Sequence, residues 1–254
     1  MDNILTKTKN FILDTLFPKF CLGCQREGSY LCEDCHSLLD ICEYSYCLCD
    51  KNPLRLPPKQ NLGKCRRCSD KKISGLYFAL SYKEGTLTKK LIHQFKYQPY
   101  LKDLSKTLAN IIIEHLVISK KNTEEIWKNS VLLAVPLDKK KFRLRNYNQS
   151  EELAKELSSV LGVPLLYDVL LKTKITKPQV ELSKKERENN LRGAFQINPS
   201  IKANTLRCPH ISGKKIFLVD DVYTTGSTMQ ECASVLKEAG ARQVWGICIA
   251  RESL

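Results

Sequence analysis

Residues 216–228, which read I-F-L-V-D-D-V-Y-T-T-G-S-T, confine the fold more tightly than any other stretch of this chain. Ile216, Phe217, Leu218 and Val219 form a short apolar run of the kind that makes a buried strand. Asp220 and Asp221 stand at its C-terminal end. A turn of small residues follows: Thr224, Thr225, Gly226, Ser227 and Thr228. Residues 229–239 then place Cys232, Val235, Leu236 and Ala239 on one helical face. A strand, a tight turn and a helix start make an anion site, because free backbone N–H groups and the positive helix end face one point. The hydroxyls add donors. The two acids repel phosphate; they suit ribose hydroxyls, a bound Mg²⁺ or the positive charge of an oxocarbenium-like sugar. The lysine of a G-x-x-x-x-G-K-[ST] loop and the G-x-G-x-x-G fingerprint are both missing, so neither a P-loop nor a dinucleotide site is expected. The plain alternative is an N-capped helix behind two solvated acids.

Around this motif, apolar runs alternate with helical patterns from about residue 73 onward. Strands are expected at 76–82, 131–135, 169–171, 194–197, 216–219 and 244–250. Helices are expected at 87–97, 101–115, 150–161 and 229–239. That order predicts an α/β fold, a mostly parallel sheet flanked by helices. Residues 1–72 differ: an amphipathic helix over 3–17 ended by Pro18, then a loop-rich, cysteine-rich stretch broken by Pro53, Pro57 and Pro58. The expected division is an N-terminal helix and metal-ribbon domain, 1–72, and a larger domain, 73–254. The segment 174–192, with Gln179, Arg187 and Asn190, is polar and long enough to serve as a lid. Residues 1–20 lack an apolar signal core, and no run approaches the roughly 20 residues of a membrane span, so a cytoplasmic protein is expected.

The chain has 12 cysteines, and all but Cys208, Cys232 and Cys248 lie between Cys21 and Cys68. Cys21-x-x-Cys24 followed by Cys32-x-x-Cys35 is a zinc pattern: each pair gives two thiolates to one ion and leaves two tetrahedral positions for the other. Cys65-x-x-Cys68 is a third pair. Its expected partners are Cys47 and Cys49, which leaves Cys42 spare; His36 is a further candidate ligand. Structural Zn²⁺ would staple a ribbon with little core of its own.

The formal net charge is +14, from 41 Lys+Arg against 27 Asp+Glu. Two four-thiolate zinc sites, each of net −2, would bring it to +10 (14 − 4), which still favours polyanions or anionic substrates. The cations concentrate in two places. Lys139, Lys140, Lys141, Arg143 and Arg145 follow the strand ending Val135-Pro136-Leu137, where they suit pyrophosphate or a nucleic-acid backbone. Arg66 and Arg67 sit inside the third cysteine pair. A solvated basic loop is the alternative for either group.

The hydrophobic-D-D-x-x-T-T-G-x-T arrangement resembles the phosphoribosyl pyrophosphate (PRPP) signature of type I phosphoribosyltransferases. In that family the paired acids address the ribose hydroxyls, and the turn cradles the 5′-phosphate. Over nearly the whole chain the order of motifs resembles the ComF family of DNA-uptake competence proteins. The knuckles come first, then I-H-Q-F-K-Y (92–97), V-P-L (135–137) and R-x-R-x-Y-N-Q (143–149). P-Q-V-E-L-S-K-K-E-R-E-N-N (178–190) and D-D-V-Y-T-T-G-S-T complete the series. Two positions depart from the family pattern: Asn146, where glycine is usual, and the irregular Cys47/Cys49 pair. Asn tolerates positive φ, so the turn is expected to survive.

The resemblance implies a phosphoribosyltransferase-like domain behind a small N-terminal zinc ribbon. It implies a cytoplasmic role in natural transformation, with single-stranded DNA held by Lys139, Lys140, Lys141, Arg143, Arg145, Arg66 and Arg67. PRPP is assigned to Asp220, Asp221 and residues 224–228. Tyr44, Tyr46, Tyr97, Tyr100 and Tyr147 are candidate stacking platforms. In an active transferase, Asp220, Asp221 and Arg143 would be catalytic, with Mg²⁺ on the pyrophosphate. A third implication is a scaffold that docks a partner such as a helicase.

Overall fold

The computed structural model describes residues 18–57, 62–121, 123–174, 191–201 and 210–252. The expected helix over 3–17, residues 175–190 of the lid segment, and Cys208 lie outside the described residues.

Among the described residues, five strands form one parallel sheet in the order β1 (Gly75–Ser81), β7 (Gln243–Arg251), β6 (Lys215–Tyr223), β2 (Ser130–Ala134), β3 (Leu165–Leu166). β1 and β7 are buried along almost their whole length, as expected when both faces of a parallel sheet are covered. Alternation assigns the side chains to two cores. Leu76, Phe78, Ile216, Leu218, Val244 and Cys248 point to one face, where α7 (Ser227–Glu238) lies. Tyr77, Ala79, Phe217, Val219, Trp245 and Ile247 point to the other. That second face is covered by α2 (Leu87–Lys96), α3 (Leu104–Ile118) and α6 (Gln149–Leu161). Two short helices, α1 (Glu33–Ser37) and α4 (Glu124–Trp127), complete this part. No helix among the described residues is long and apolar enough to cross a membrane.

The two short strands expected near 169–171 and 194–197 form β4 (Leu170–Lys172) and β5 (Phe195–Ile197), but they do not join the main sheet. They pair antiparallel with each other and stand apart from it.

The strap between the two cysteine groups crosses the open edge of the sheet. Cys42 N–H donates to the Ala79 carbonyl at 2.8 Å, and the Cys42 carbonyl meets His115 Nδ1 at 2.6 Å. This satisfies backbone groups that edge strand β1 would otherwise present to solvent. It also sends the groups to opposite faces: Leu22, Leu31 and Ile41 pack with α2 and α3, while Cys47, Leu48, Cys49 and Cys68 join the core under α7.

Candidate functional site

The chain runs from β2 outward to β3 on one side and from β6 outward to β7 on the other. The reversal lies between β2 and β6, so the crevice at their C-terminal ends is the topological switch point where open α/β sheets bind ligands. The paired acids lie there, although not at the end of the strand. β6 continues to Tyr223 because β7 is long enough to pair with it through Asp220↔Cys248, Val222↔Ala250 and Tyr223↔Arg251. β2 stops at Ala134, opposite Val219, and this frees the β2 side of the acids.

Asp220 Oδ1 accepts from Ser150 Oγ at 3.0 Å and from Asp221 N at 2.9 Å. Asp221 Oδ1 accepts from Val222 N at 2.6 Å and pairs with Lys96 Nζ at 2.8 Å. The Lys96 and Asp221 side chains are 21% and 11% exposed, so this ion pair is largely withdrawn from water. Burial, followed by repulsion from Asp221, pushes the Asp220 carboxyl up to about 7. Burial alone would lower Lys96; the charge and hydrogen bond of Asp221 outweigh it and raise Lys96 instead. Lys96 belongs to the I-H-Q-F-K-Y motif, yet the sequence assigned it no role; an ion pair across 125 positions (221 − 96) leaves no local trace.

The raised Asp220 pKa has a consequence for stability. Between the ordinary value of 3.8 and about 7 the folded state binds more protons than the unfolded one. Its contribution to stability therefore falls as pH rises through that window. Asp220→Asn removes the titration. Its melting temperature relative to the parent should climb between about pH 4 and pH 8, read by calorimetric scans across pH. A pH-independent difference would contradict a raised Asp220.

The turn after β6 packs against the Tyr223 ring and carries one hydroxyl–hydroxyl contact of its own. Gly226 has φ +75° and caps α7. The helix starts at Ser227, two residues before the expected 229, so Ser227 and Thr228 belong to its first turn and aim their N–H groups at the crevice. Thr225 Oγ1 and Ser227 Oγ are 2.8 Å apart. A Cβ on Gly226 would lie 2.2 Å from Tyr223 Oη and 2.4 Å from Tyr223 Cζ, and that ring is 2% exposed. Gly226→Ala should therefore cost about 1–3 kcal/mol, a Tm drop of roughly 3–10 °C in thermal unfolding.

The five cations beyond β2 do not form a loop. Asp138 accepts from Lys140 N at 2.9 Å and starts a short helix, α5 (Lys139–Arg145), none of whose residues is buried. Asn146 ends it at φ 61°, so the expected left-handed turn survives with asparagine. The next residues are structural. Tyr147 is 5% exposed and its hydroxyl donates to the Phe95 carbonyl, so it cannot stack on a base. Asn148 caps α6 by accepting from Ser150 N and donates to the Val135 carbonyl at 3.1 Å. Tyr97, by contrast, is 46% exposed, with the Arg145 guanidinium over its ring at 5.4 Å.

Lys172 of β4 is a second cation that sequence reasoning missed. Partial desolvation lowers the ammonium pKa of Lys141, on the exposed helix, and of half-buried Lys172. Arg145 and Lys96 lower Lys141 further, and Lys141 does the same to Lys172. Positive groups crowded in this way favour an anion between them. Arg66 and Arg67 are exposed on the 3₁₀ turn Arg66–Cys68, a separate element, and Arg67 Nη2 donates to the Asn52 carbonyl at 2.9 Å.

The thiols gather in the expected sets: Cys21, Cys24, Cys32 and Cys35 in one, Cys47, Cys49, Cys65 and Cys68 in the other, with sulfurs within 4.8 Å of each other in each. Individual separations of 3.5 Å (Cys24–Cys32), 3.5 Å (Cys49–Cys65) and 3.8 Å (Cys65–Cys68) are far beyond a disulfide bond. They match the ~3.8 Å edge of a tetrahedron with ~2.3 Å Zn–S bonds. Backbone N–H groups point at the sulfurs: Cys32 N at Cys21 (3.4 Å), Leu54 N at Cys47 (3.1 Å) and Cys65 N at Cys68 (3.3 Å). Burial, then the neighbouring thiols, pushes Cys35 and Cys49 up to about 12. Against burial, N–H donors of Cys32, Cys24 and Gly23 bring Cys21 down to about 6. This donor set fits zinc. Cys42 stands outside both sets, its Sγ directed at the Tyr44 carbonyl.

A phosphoribosyl transferase domain model matches residues 148–252. Competence protein F of Haemophilus influenzae is 34% identical over 163 residues, which cover 63% of this chain and 67% of the relative. The DNA utilization protein YhgH of Escherichia coli K12 is 30% identical over 160 residues, 62% of this chain and 65% of the relative. A ribose-phosphate pyrophosphokinase of Methanopyrus kandleri is 30% identical over 99 residues, 39% of this chain and 26% of that enzyme. The chain thus spans about two thirds of the length of the first two. The chain belongs to the competence protein F (ComF) family.

Proposed function

We propose that this chain is a cytoplasmic DNA-uptake or DNA-utilisation factor that binds single-stranded DNA and a PRPP-type sugar phosphate. The observation that carries the reading is the convergence at one crevice of Asp220, Asp221, the 224–228 turn and the cations of α5. The acids accept the ribose hydroxyls. The helix start and the hydroxyls of Thr224, Thr225, Ser227 and Thr228 hold the 5′-phosphate. Lys141 and Lys172 meet the pyrophosphate, and Mg²⁺ enters as the counter-ion of that group, since Lys96 already neutralises Asp221. The exposed cations of α5 contact the DNA backbone, and Tyr97 offers a stacking face at their edge. The names of the relatives support the DNA role. Structural zinc in both thiol sets keeps the knuckles folded. Calorimetry with PRPP and Mg²⁺, in the presence and absence of a short single strand, tests the assignment: saturable PRPP binding upholds it, and none refutes it.

A second reading, an active phosphoribosyltransferase, draws on the same cluster. A nitrogen nucleophile would form the bond to the anomeric carbon as the C–O bond breaks and pyrophosphate departs toward Arg143 and its neighbours. Asp220 and Asp221 would stabilise the positive sugar. Pyrophosphate release that depends on an added base decides between the two. The exposed first knuckle offers a place for a protein partner such as a helicase.

A further inference from the structure

The second thiol set is joined to the phosphate turn by two separate routes. On the first, Arg251, at the end of β7, is fully buried; its Nη1 donates to the Cys47 carbonyl at 2.8 Å and its Nη2 to the Cys49 carbonyl. The guanidinium lies between the rings of Phe78 (5.6 Å) and Tyr223 (5.5 Å). Tyr223 is the register partner of Arg251 across β6 and β7 and the ring pressed against Gly226. Metal ligands, guanidinium, phenol ring and turn glycine are therefore in consecutive contact. On the second route, the Gln230 side-chain oxygen, one turn into α7, accepts from Lys72 N and from Ile73 N at 3.3 Å, just beyond Cys68. The Lys71–Asp50 ion pair, 2.8 Å with both side chains 18% exposed, ties the two halves of that knuckle together. Among the described residues the first thiol set has no such route to the turn: it packs on the opposite face, against α2 and α3.

We propose that zinc at Cys47, Cys49, Cys65 and Cys68 holds the 224–228 turn in its ligand-binding shape. Occupancy of this site, and not of the Cys21–Cys24–Cys32–Cys35 site, then sets sugar-phosphate affinity. The inference rests on the PRPP reading of the turn. A tetrathiolate zinc centre fixes the Cys47–Cys49 carbonyls and the Cys65–Cys68 turn. Without it both are loose, and Arg251, Tyr223 and the first turn of α7 lose the surface that holds them. Because linkage is reciprocal, PRPP must also tighten zinc at this site by the same factor.

The test uses the full chain loaded with two zinc equivalents and follows zinc transfer to a chromogenic chelator with and without PRPP. PRPP should slow the release of one equivalent by roughly 5–150-fold and leave the other unchanged. Gln230→Ala keeps every thiol and should shrink that slowing and weaken PRPP binding together. Cys65→Ser should lose one zinc and most PRPP affinity, whereas Cys24→Ser should lose one zinc and keep the affinity. Wild-type protein that binds PRPP while both equivalents leave at unchanged rates, or are slowed equally, overturns the linkage alone. Wild-type protein that binds no PRPP overturns the reading of the turn and the linkage with it. Should the cysteine variants fail to fold, the wild-type and Gln230→Ala release rates still decide.

Discussion

Replacing Asp220 and Asp221 together with alanine should abolish PRPP binding while leaving both zinc equivalents in place. On the proposed reading each carboxylate accepts a ribose hydroxyl, and a hydrogen bond to a charged group contributes about 1.5–3 kcal/mol net. Two such bonds amount to a loss of roughly 10²–10⁴-fold in affinity. The change also strands Lys96, which loses its 2.8 Å partner in a half-buried setting. The metal sets stay intact because neither acid contributes to them. Calorimetry gives the affinity, and metal analysis of the purified variant gives the zinc content. Undiminished PRPP binding would mean that the acids face something other than the sugar. Loss of zinc would mean that the variant had unfolded more widely.

Single-stranded DNA binding should fall steeply with salt. Lys139, Lys140, Lys141, Arg143 and Arg145 supply five cations on one exposed helix. For a single strand the slope of log K against log salt is about −0.7 per phosphate contact, or about −3.5 for five. Affinity should then drop roughly 100-fold between 50 and 200 mM salt, as fluorescence anisotropy on a labelled oligonucleotide would show. Each alanine in α5 should flatten the slope by about 0.7. Arg66→Ala with Arg67→Ala should flatten it by about 1.4 if the strand crosses the second knuckle, and leave it unchanged if it does not. Salt-independent binding, or none, would remove α5 from the DNA interface.

These expectations draw on features that differ in how plainly the sequence announced them. Thiol ligand sets were legible, including the irregular Cys47-x-Cys49 pair, because a tetrahedral ion needs four sulfurs and the spacing leaves few ways to supply them. The strand, turn and helix start at the paired acids were legible because each is a local signal. The same holds for Asn146, whose positive φ follows from the turn it closes. Other features were not. Tyr147 reads like a stacking aromatic, yet tertiary contacts bury it and tie its hydroxyl to Phe95. The α5 cations read like a loop because their charge hides a helix that one aspartate cap begins.

The residue types and their spacing were enough to determine a parallel α/β sheet, two four-thiol sets and a strand–turn–helix motif at the paired acids, since each depends on local signals. Only the folded chain decided what meets at the crevice. β7 outlasts β2, so the acids sit inside a strand with one side open. Lys96 arrives from another helix to pair with Asp221. Arg251 and Gln230 tie the second knuckle to the end of β6 and the start of α7 across more than 150 positions. Such contacts come from strand order and from packing on a common sheet face, which periodicity along the chain does not encode.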